Sequence, residues 1–259
     1  MRTRIRDRRI LNIASMRKYI YERRRKLPPL TAESVGLGML LGAVGGFLDA
    51  YTFISRDGVF ATSQTGNLVL LGIKLAQRQW SEGLEHIPPI IAFILGVLTA
   101  EALKHPKIIK LFPYPARTVL LVESIALMIV GTWPPEVPNS TVTITIAFAA
   151  SVQISSFRTL VKWPYNSAMV TGNLRTASQA AYTALIGRDR HAALKSLDFI
   201  IIIVSFLAGA FAGTLSTLRF GTEAIWIASG ILILALIILQ ANPETLLVYG
   251  KDKKDKKKF

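Results

Sequence analysis

The chain of 259 residues is 51% hydrophobic, has no cysteine and carries a formal net charge of +15, with a mean hydropathy of +0.40. That apolar content is high for a soluble domain of this length and points to a membrane protein, while the missing cysteines exclude a disulfide-stapled secreted fold and thiolate metal sites. The charge is concentrated at the ends. Residues 1–30 hold eleven Lys or Arg against two acids and residues 251–259 hold six Lys against two Asp, which leaves fourteen bases and twelve acids between them and excludes a basic nucleic-acid-binding core.

Residues 1–30 are basic throughout, with no apolar run and no small-residue cleavage site, so they read as a retained arm and not as a cleaved signal. Ile10, Ile13, Ala14 and Ile20 give the arm a loose apolar face that suits a helix lying on an anionic cytoplasmic leaflet. The plainer alternative is a solvated arm that only fixes topology.

Crossing the ~30 Å hydrocarbon layer takes about 20 helical residues, ~17 at the short end. Six stretches meet that length: 34–55, 87–103, 117–133, 140–157, 197–217 and 224–241. The first carries Gly38, Gly42 and Gly46 at four-residue spacing, a stripe for close helix packing. It also carries Asp49, about six residues or ~9 Å from its outer end. An ionisable group at that depth is costly without a partner or a wet cavity. Asp49 is therefore a candidate for solute binding or proton coupling, with pairing to Arg56 or to backbone donors as the structural alternative.

Two further stretches, 59–76 and 167–186, are apolar but interrupted, and each has the same triplet near its start: Thr65-Gly66-Asn67 and Thr171-Gly172-Asn173. Such a triplet favours a turn or a helix N-cap over a helix interior. A helix starting there offers unpaired N–H groups and a positive dipole end to an anionic or hydrogen-bond-accepting solute, and Gly lets the backbone approach it closely. The bland reading is that Gly66 and Gly172 only let two helices cross. Irregular backbone at membrane depth is tolerated where protein buries it or where it lines a polar cavity.

The positive-inside rule decides how the chain is threaded. Both basic tails belong in the cytoplasm, so the number of crossings is even. With eight crossings, the loop 104–117, which has Lys104, Lys107, Lys110 and Arg117 and no acid, falls outside. With six it is cytoplasmic, the loop 133–139 with its single acid is external, and the two triplet segments become re-entrant or interrupted helices approached from opposite sides.

The halves also resemble one another. Phe53 matches Phe157, which sets Asp49 opposite Gln153, and the run 90–100 matches 203–213, pairing Phe93 with Phe206, Gly96 with Gly209 and Ala100 with Gly213. Three crossings per copy invert the second copy, and in transporters built this way the solute site lies near the midplane where discontinuous helices meet. The shared site then comprises Asp49, Thr65, Gly66, Asn67, Gln153, Thr171, Gly172 and Asn173.

GGFLDAYTF followed by GVFATSQTGNLVLLGIKLA, with Gln153 and MVTGNL in the second half, resembles the YoaK-like family of bacterial multi-pass membrane proteins (domain of unknown function 1275) over about residues 33–241. The resemblance implies an integral membrane protein of about six spans and carries no implication for a solute.

Other acids read as structural. Glu123 is placed to pair with Arg117, Arg158 or Arg175, and Glu101 and Asp198 to form interfacial pairs. His86, His105 and His191 are scattered and no HExxH or Ser/His/Asp grouping is present, so neither an enzyme, a metal centre nor a bound cofactor is expected. GLGMLLG lacks nucleotide-motif spacing.

The expected architecture is an all-α integral membrane protein with six transmembrane helices, two re-entrant segments and an inverted three-plus-three repeat. Its parts are a basic arm (1–30), a first repeat (31–133), a second repeat (134–241) and a basic tail (242–259). The expected function is a cell-membrane transporter of a small solute with both termini cytoplasmic. The basic termini would meet anionic lipid headgroups, the chain would form a homo-oligomer at most, and nucleic acid is no partner. A passive channel and a non-transporting scaffold are the alternatives.

Overall fold

The computed structural model describes residues 33–240 apart from 106, 109–111 and 113; the arm 1–30 and the tail 242–259 lie outside the described residues. The helices are α1 (Val35–Ser55), α2 (Gln64–Ala76), α3 (Trp80–Leu84), α4 (Ile87–Leu103), α5 (Pro115–Gly131), α6 (Asn139–Ser156), α7 (Val170–Gly187), α8 (Arg190–Phe220) and α9 (Ile225–Gln240). A two-residue antiparallel ladder, β1 (Thr159–Leu160) with β2 (Trp163–Pro164), separates α6 from α7.

Local chemistry sets the helix starts. Ser34 caps α1 by accepting from the Leu37 N–H, and α4 and α5 begin with Pro in the first turn, where its missing N–H costs nothing. The Asp189 carboxylate accepts from the N–H groups of His191 and Ala192, so α8 begins seven residues before the apolar run expected at 197–217. It stops at Gly221, whose φ of +60° suits a residue without a Cβ.

Three helical stretches are long and apolar enough to cross a membrane: Val35–Ser55, Trp80–Leu103 and Arg190–Gln240. Large apolar side chains such as Leu98, Leu207, Phe211 and Leu218 point outward and are more than half exposed, a surface that suits lipid and not water. The chain is an all-α membrane protein.

At the centre α1, α5, α6 and α9 share one buried core, which includes Leu41, Leu48, Leu120, Leu127, Ile146 and Leu232. Outside it α8 packs on α1 and α4 on α6; α7 lies on α8 and α2 on α4. Small residues allow the tight contacts. A Cβ at Gly46 would overlap the Phe206 carbonyl, one at Gly209 the Ala43 carbonyl, and one at Gly96 the Ser151 hydroxyl. Gly38 and Gly42 both face Ile202, while Gly213 faces Phe47, so α1 and α8 run parallel. α5 and α9 run antiparallel: Arg117 donates to the Leu239 carbonyl (3.3 Å), Ser229 to that of Ser124 (2.9 Å) and the Trp226 indole to that of Met128 (3.2 Å).

These bonds sort the helix ends into two layers. At the Ser55 end of α1, Arg56 donates to Asn139 at the start of α6 (2.9 Å) and Tyr51 to the Thr222 carbonyl (3.0 Å). At the Val35 end, the Val161 N–H just beyond α6 donates to the Glu33 carbonyl (2.6 Å).

Candidate functional site: two chain breaks on one face of α1

Between α1 and α2 the chain turns back toward the middle of α1 and is held there by Asp49, which is 4% exposed. Its carboxylate accepts from the N–H (2.6 Å) and hydroxyl (2.8 Å) of Thr62 and from the N–H (3.3 Å) and hydroxyl of Ser63. One turn further along, the Thr52 hydroxyl oxygen accepts from the Ala61 N–H (3.1 Å). Asn67 completes the break. Its amide nitrogen donates to the Phe60 carbonyl (2.8 Å) and to Gln64 Oε1 (2.9 Å), and its amide oxygen accepts from the Phe60 N–H (2.9 Å). The Phe60 ring stacks on Phe53 at 4.8 Å.

The second break repeats the pattern with weaker chemistry. Asn173 donates to the Asn166 carbonyl (2.6 Å) and accepts from its N–H (3.5 Å), again across seven residues. Ser167 approaches Gln153 Oε1 at 3.5 Å, the counterpart of the Ser63–Asp49 bond. The Asn166 side chain accepts from the N–H groups of Ala168 (2.9 Å) and Met169 (3.0 Å). An acid with four donors thus stands opposite an amide with one long contact.

Both breaks lie on the same strip of α1. A Cβ at Gly42 would stand 3.7 Å from the Ser167 carbonyl and one at Gly45 3.5 Å from Ala168, while Thr62 and Ser63 sit on Asp49. Positions 42, 45 and 49 are spaced three and four apart and share one helical face. Gly45 and Asp49 differ by about 6 Å along the axis. From this common strip the helices diverge, and α2 and α7 share no packed interface among the described residues.

The triplets sit differently from the expectation. α2 starts at Gln64 and α7 at Val170, neither with a side-chain cap, so Thr-Gly-Asn fills the second to fourth helical positions in both and caps neither. The Gly66 and Asn67 N–H groups donate to the Ser63 carbonyl at 2.9 and 3.2 Å and are not offered outward. Neither Gly66 nor Gly172 has a positive φ. A Cβ at Gly66 would meet the Phe60 ring at 2.8 Å, whereas nothing lies within 4 Å of one at Gly172. Asn67, Asn173 and Gln153 are buried; Thr65, Thr171 and Gly172 are exposed. Asp49 is held by backbone and hydroxyl donors, while Arg56 bonds to Asn139 and Tyr51 instead. Thr62, Ser63, Asn166 and Ser167 do not stand out in the sequence by motif, although hydroxyl and amide residues just before each triplet are a readable sign.

Glu101 forms an exposed pair with Lys104 at 2.6 Å. Glu123 does not pair with Arg117, which bonds to Leu239 and lies over the Tyr114 ring at 5.0 Å.

The family described as protein of unknown function (DUF1275) matches residues 37–238, which spans α1 to α9 and includes both breaks. No curated protein and no solved structure matches the chain.

Proposed function

We propose that this chain, which belongs to the DUF1275 family, is a cell-membrane transporter of a small solute, with six spans and an inverted repeat of three spans per half. The observation that carries the reading is the convergence of two chain breaks, entering from opposite ends of the bundle, on the Gly42–Gly45–Asp49 strip of α1. Non-helical backbone at membrane depth is tolerated where it is buried or lines a polar cavity, and transporters place their sites at such breaks.

The packing supports the repeat. Exchanging α1 with α6, α2 with α7, α4 with α8 and α5 with α9 turns the α1–α8 contact into α6–α4, α1–α9 into α6–α5 and α7–α8 into α2–α4, and leaves α5–α9 unchanged. The parallel run of α1 and α8 and the antiparallel run of α5 and α9 agree with six crossings. The Val35 layer is then cytoplasmic, as are both termini, and the Ser55 layer external. Thr65 and Thr171 supply hydroxyls at the exposed side of each break and favour a small hydrogen-bonding solute, anionic or neutral. The basic tails would engage anionic lipid headgroups, and the chain would act as a carrier and not an enzyme.

Single cysteines test this without background in a cysteine-free chain. In intact cells an impermeant thiol reagent should label T65C and not K107C; in inside-out vesicles it should label T171C and K107C. If T65C and T171C resist water-soluble reagents from both sides, the breaks face lipid and the transport reading fails. Outside labelling of K107C would overturn the six-span topology.

A further inference from the structure

α5 places Glu123 at the ninth of its 17 residues, in the middle of the shared core. The side chain is 1% exposed, and Leu120 and Leu127, one turn to either side, are fully buried. Neither carboxyl oxygen has a hydrogen-bond partner. Among the described residues no cation is placed to compensate it. The helices packed against α5 are α6 and α9, and neither contains an acidic or basic residue. The turn Gly221–Ala224 also touches α5 and contributes only Glu223, which is exposed. On α5 itself, Arg117 is committed to the Leu239 carbonyl.

A carboxylate stripped of water, donors and counter-charge is strongly disfavoured, whereas a carboxylic acid is a neutral polar group that an apolar interior tolerates far better. Asp49 shows the opposite arrangement in the same bundle, with four donors directed at it. We propose that Glu123 is an exchangeable proton-binding site of the membrane core. It holds a proton in the dry arrangement described here and gives it to water when the core around α5 admits water. In that step the O–H bond breaks, its electron pair stays on the carboxylate, and the proton leaves on water; uptake is the reverse. The site goes beyond the transport reading and stands without it, because the geometry requires a proton and not a solute.

Infrared spectroscopy of the purified chain in lipid vesicles tests the assignment with no transport assay. A carboxylic acid lacking hydrogen-bond partners absorbs at the high-frequency end of the carboxyl C=O range. The wild type should show such a band, which should shift in D2O and fade as pH is raised, and E123Q should lack it. Wild-type and E123Q spectra that agree over the whole pH range would overturn the proposal, as would a band that ignores D2O and pH. If E123Q does not insert, carbon-13 labelling of glutamate in the wild type decides, because every other described glutamate is exposed and absorbs as a solvated group. A high-frequency band that moves on labelling supports Glu123; no such band, or one that stays in place, refutes it.

Discussion

Replacing Asp49 separates the carboxylate's role as an anchor from any role toward solute. In Asp49→Ala the N–H groups of Thr62 and Ser63 lose their acceptor, while the two hydroxyls can turn elsewhere. A buried donor left unsatisfied costs about 1–3 kcal/mol, so two of them predict a loss of roughly 2–6 kcal/mol. In Asp49→Asn one amide oxygen keeps both N–H bonds and the amide nitrogen can donate to the two hydroxyls. Only charge assistance is lost, which about halves such bonds and predicts a cost of ~1–2 kcal/mol. Thermal unfolding in detergent, followed by tryptophan fluorescence, should rank wild type above Asn and Asn well above Ala. An Ala variant as stable as the Asn variant would show that the break is held by something other than Asp49. If both variants keep wild-type stability and only uptake suffers, the carboxylate serves solute and the anchoring argument is wrong.

The two asparagines should behave as independent clamps. Asn67→Ala removes three bonds and should cost roughly 2–4 kcal/mol. Asn173→Ala removes one short bond and one 3.5 Å contact and should cost about 1–2 kcal/mol. The two add in the double variant because α2 and α7 share no packed interface; melting temperatures check this. Gly46→Ala and Gly209→Ala drive a Cβ into the carbonyls of Phe206 and Ala43 and should lower stability by about 1–3 kcal/mol or more through overpacking. Gly172→Ala has open space beyond its Cβ and should raise stability by up to ~1 kcal/mol, as Ala does at a helical position. A destabilised Gly172→Ala would restore the idea that this position needs glycine.

The long helices were legible because spanning length and apolarity are written in consecutive residues: 34–55 and 87–103 match α1 and α4 within one residue, and 140–157 matches α6. The start of α8 escaped because it depends on one capping aspartate and a polar turn ahead of the apolar run. Asp49 stood out as a charge in an apolar helix, yet its partners did not, since they lie thirteen and fourteen residues ahead across a break whose path only tertiary packing fixes. The triplets mark both breaks but cap neither helix. Thr-Gly-Asn reads as a cap by local preference, but its Asn is the fourth helical residue and reaches back seven residues to the chain before the helix. Glu123 differs for a related reason: Arg117, Arg158 and Arg175 stand in the sequence as candidate partners, and only the packed core shows that neither carboxyl oxygen has a hydrogen-bond partner.

The unequal anchoring of the two breaks has a dynamic consequence. The first is held by charge-assisted bonds from Asp49, by the Thr52 hydroxyl and by three bonds from Asn67; the second relies on a 3.5 Å contact to Gln153, a 3.5 Å and a 2.6 Å bond to Asn173, and the side chain of Asn166. Charge-assisted bonds are about twice as strong as neutral ones, and a 3.5 Å contact lies at the edge of a useful hydrogen bond. Local opening follows the weaker set. Backbone amides at 166–169 should therefore exchange with deuterium faster than those at 61–63, although both stretches pack on the same strip of α1. Asp49→Asn should narrow the difference by loosening the first break, and Gln153→Glu should narrow it from the other side by giving Ser167 a charged acceptor. Equal exchange in the wild type, or a difference that neither substitution changes, would mean that the acid and the amide do not set how firmly each break is held.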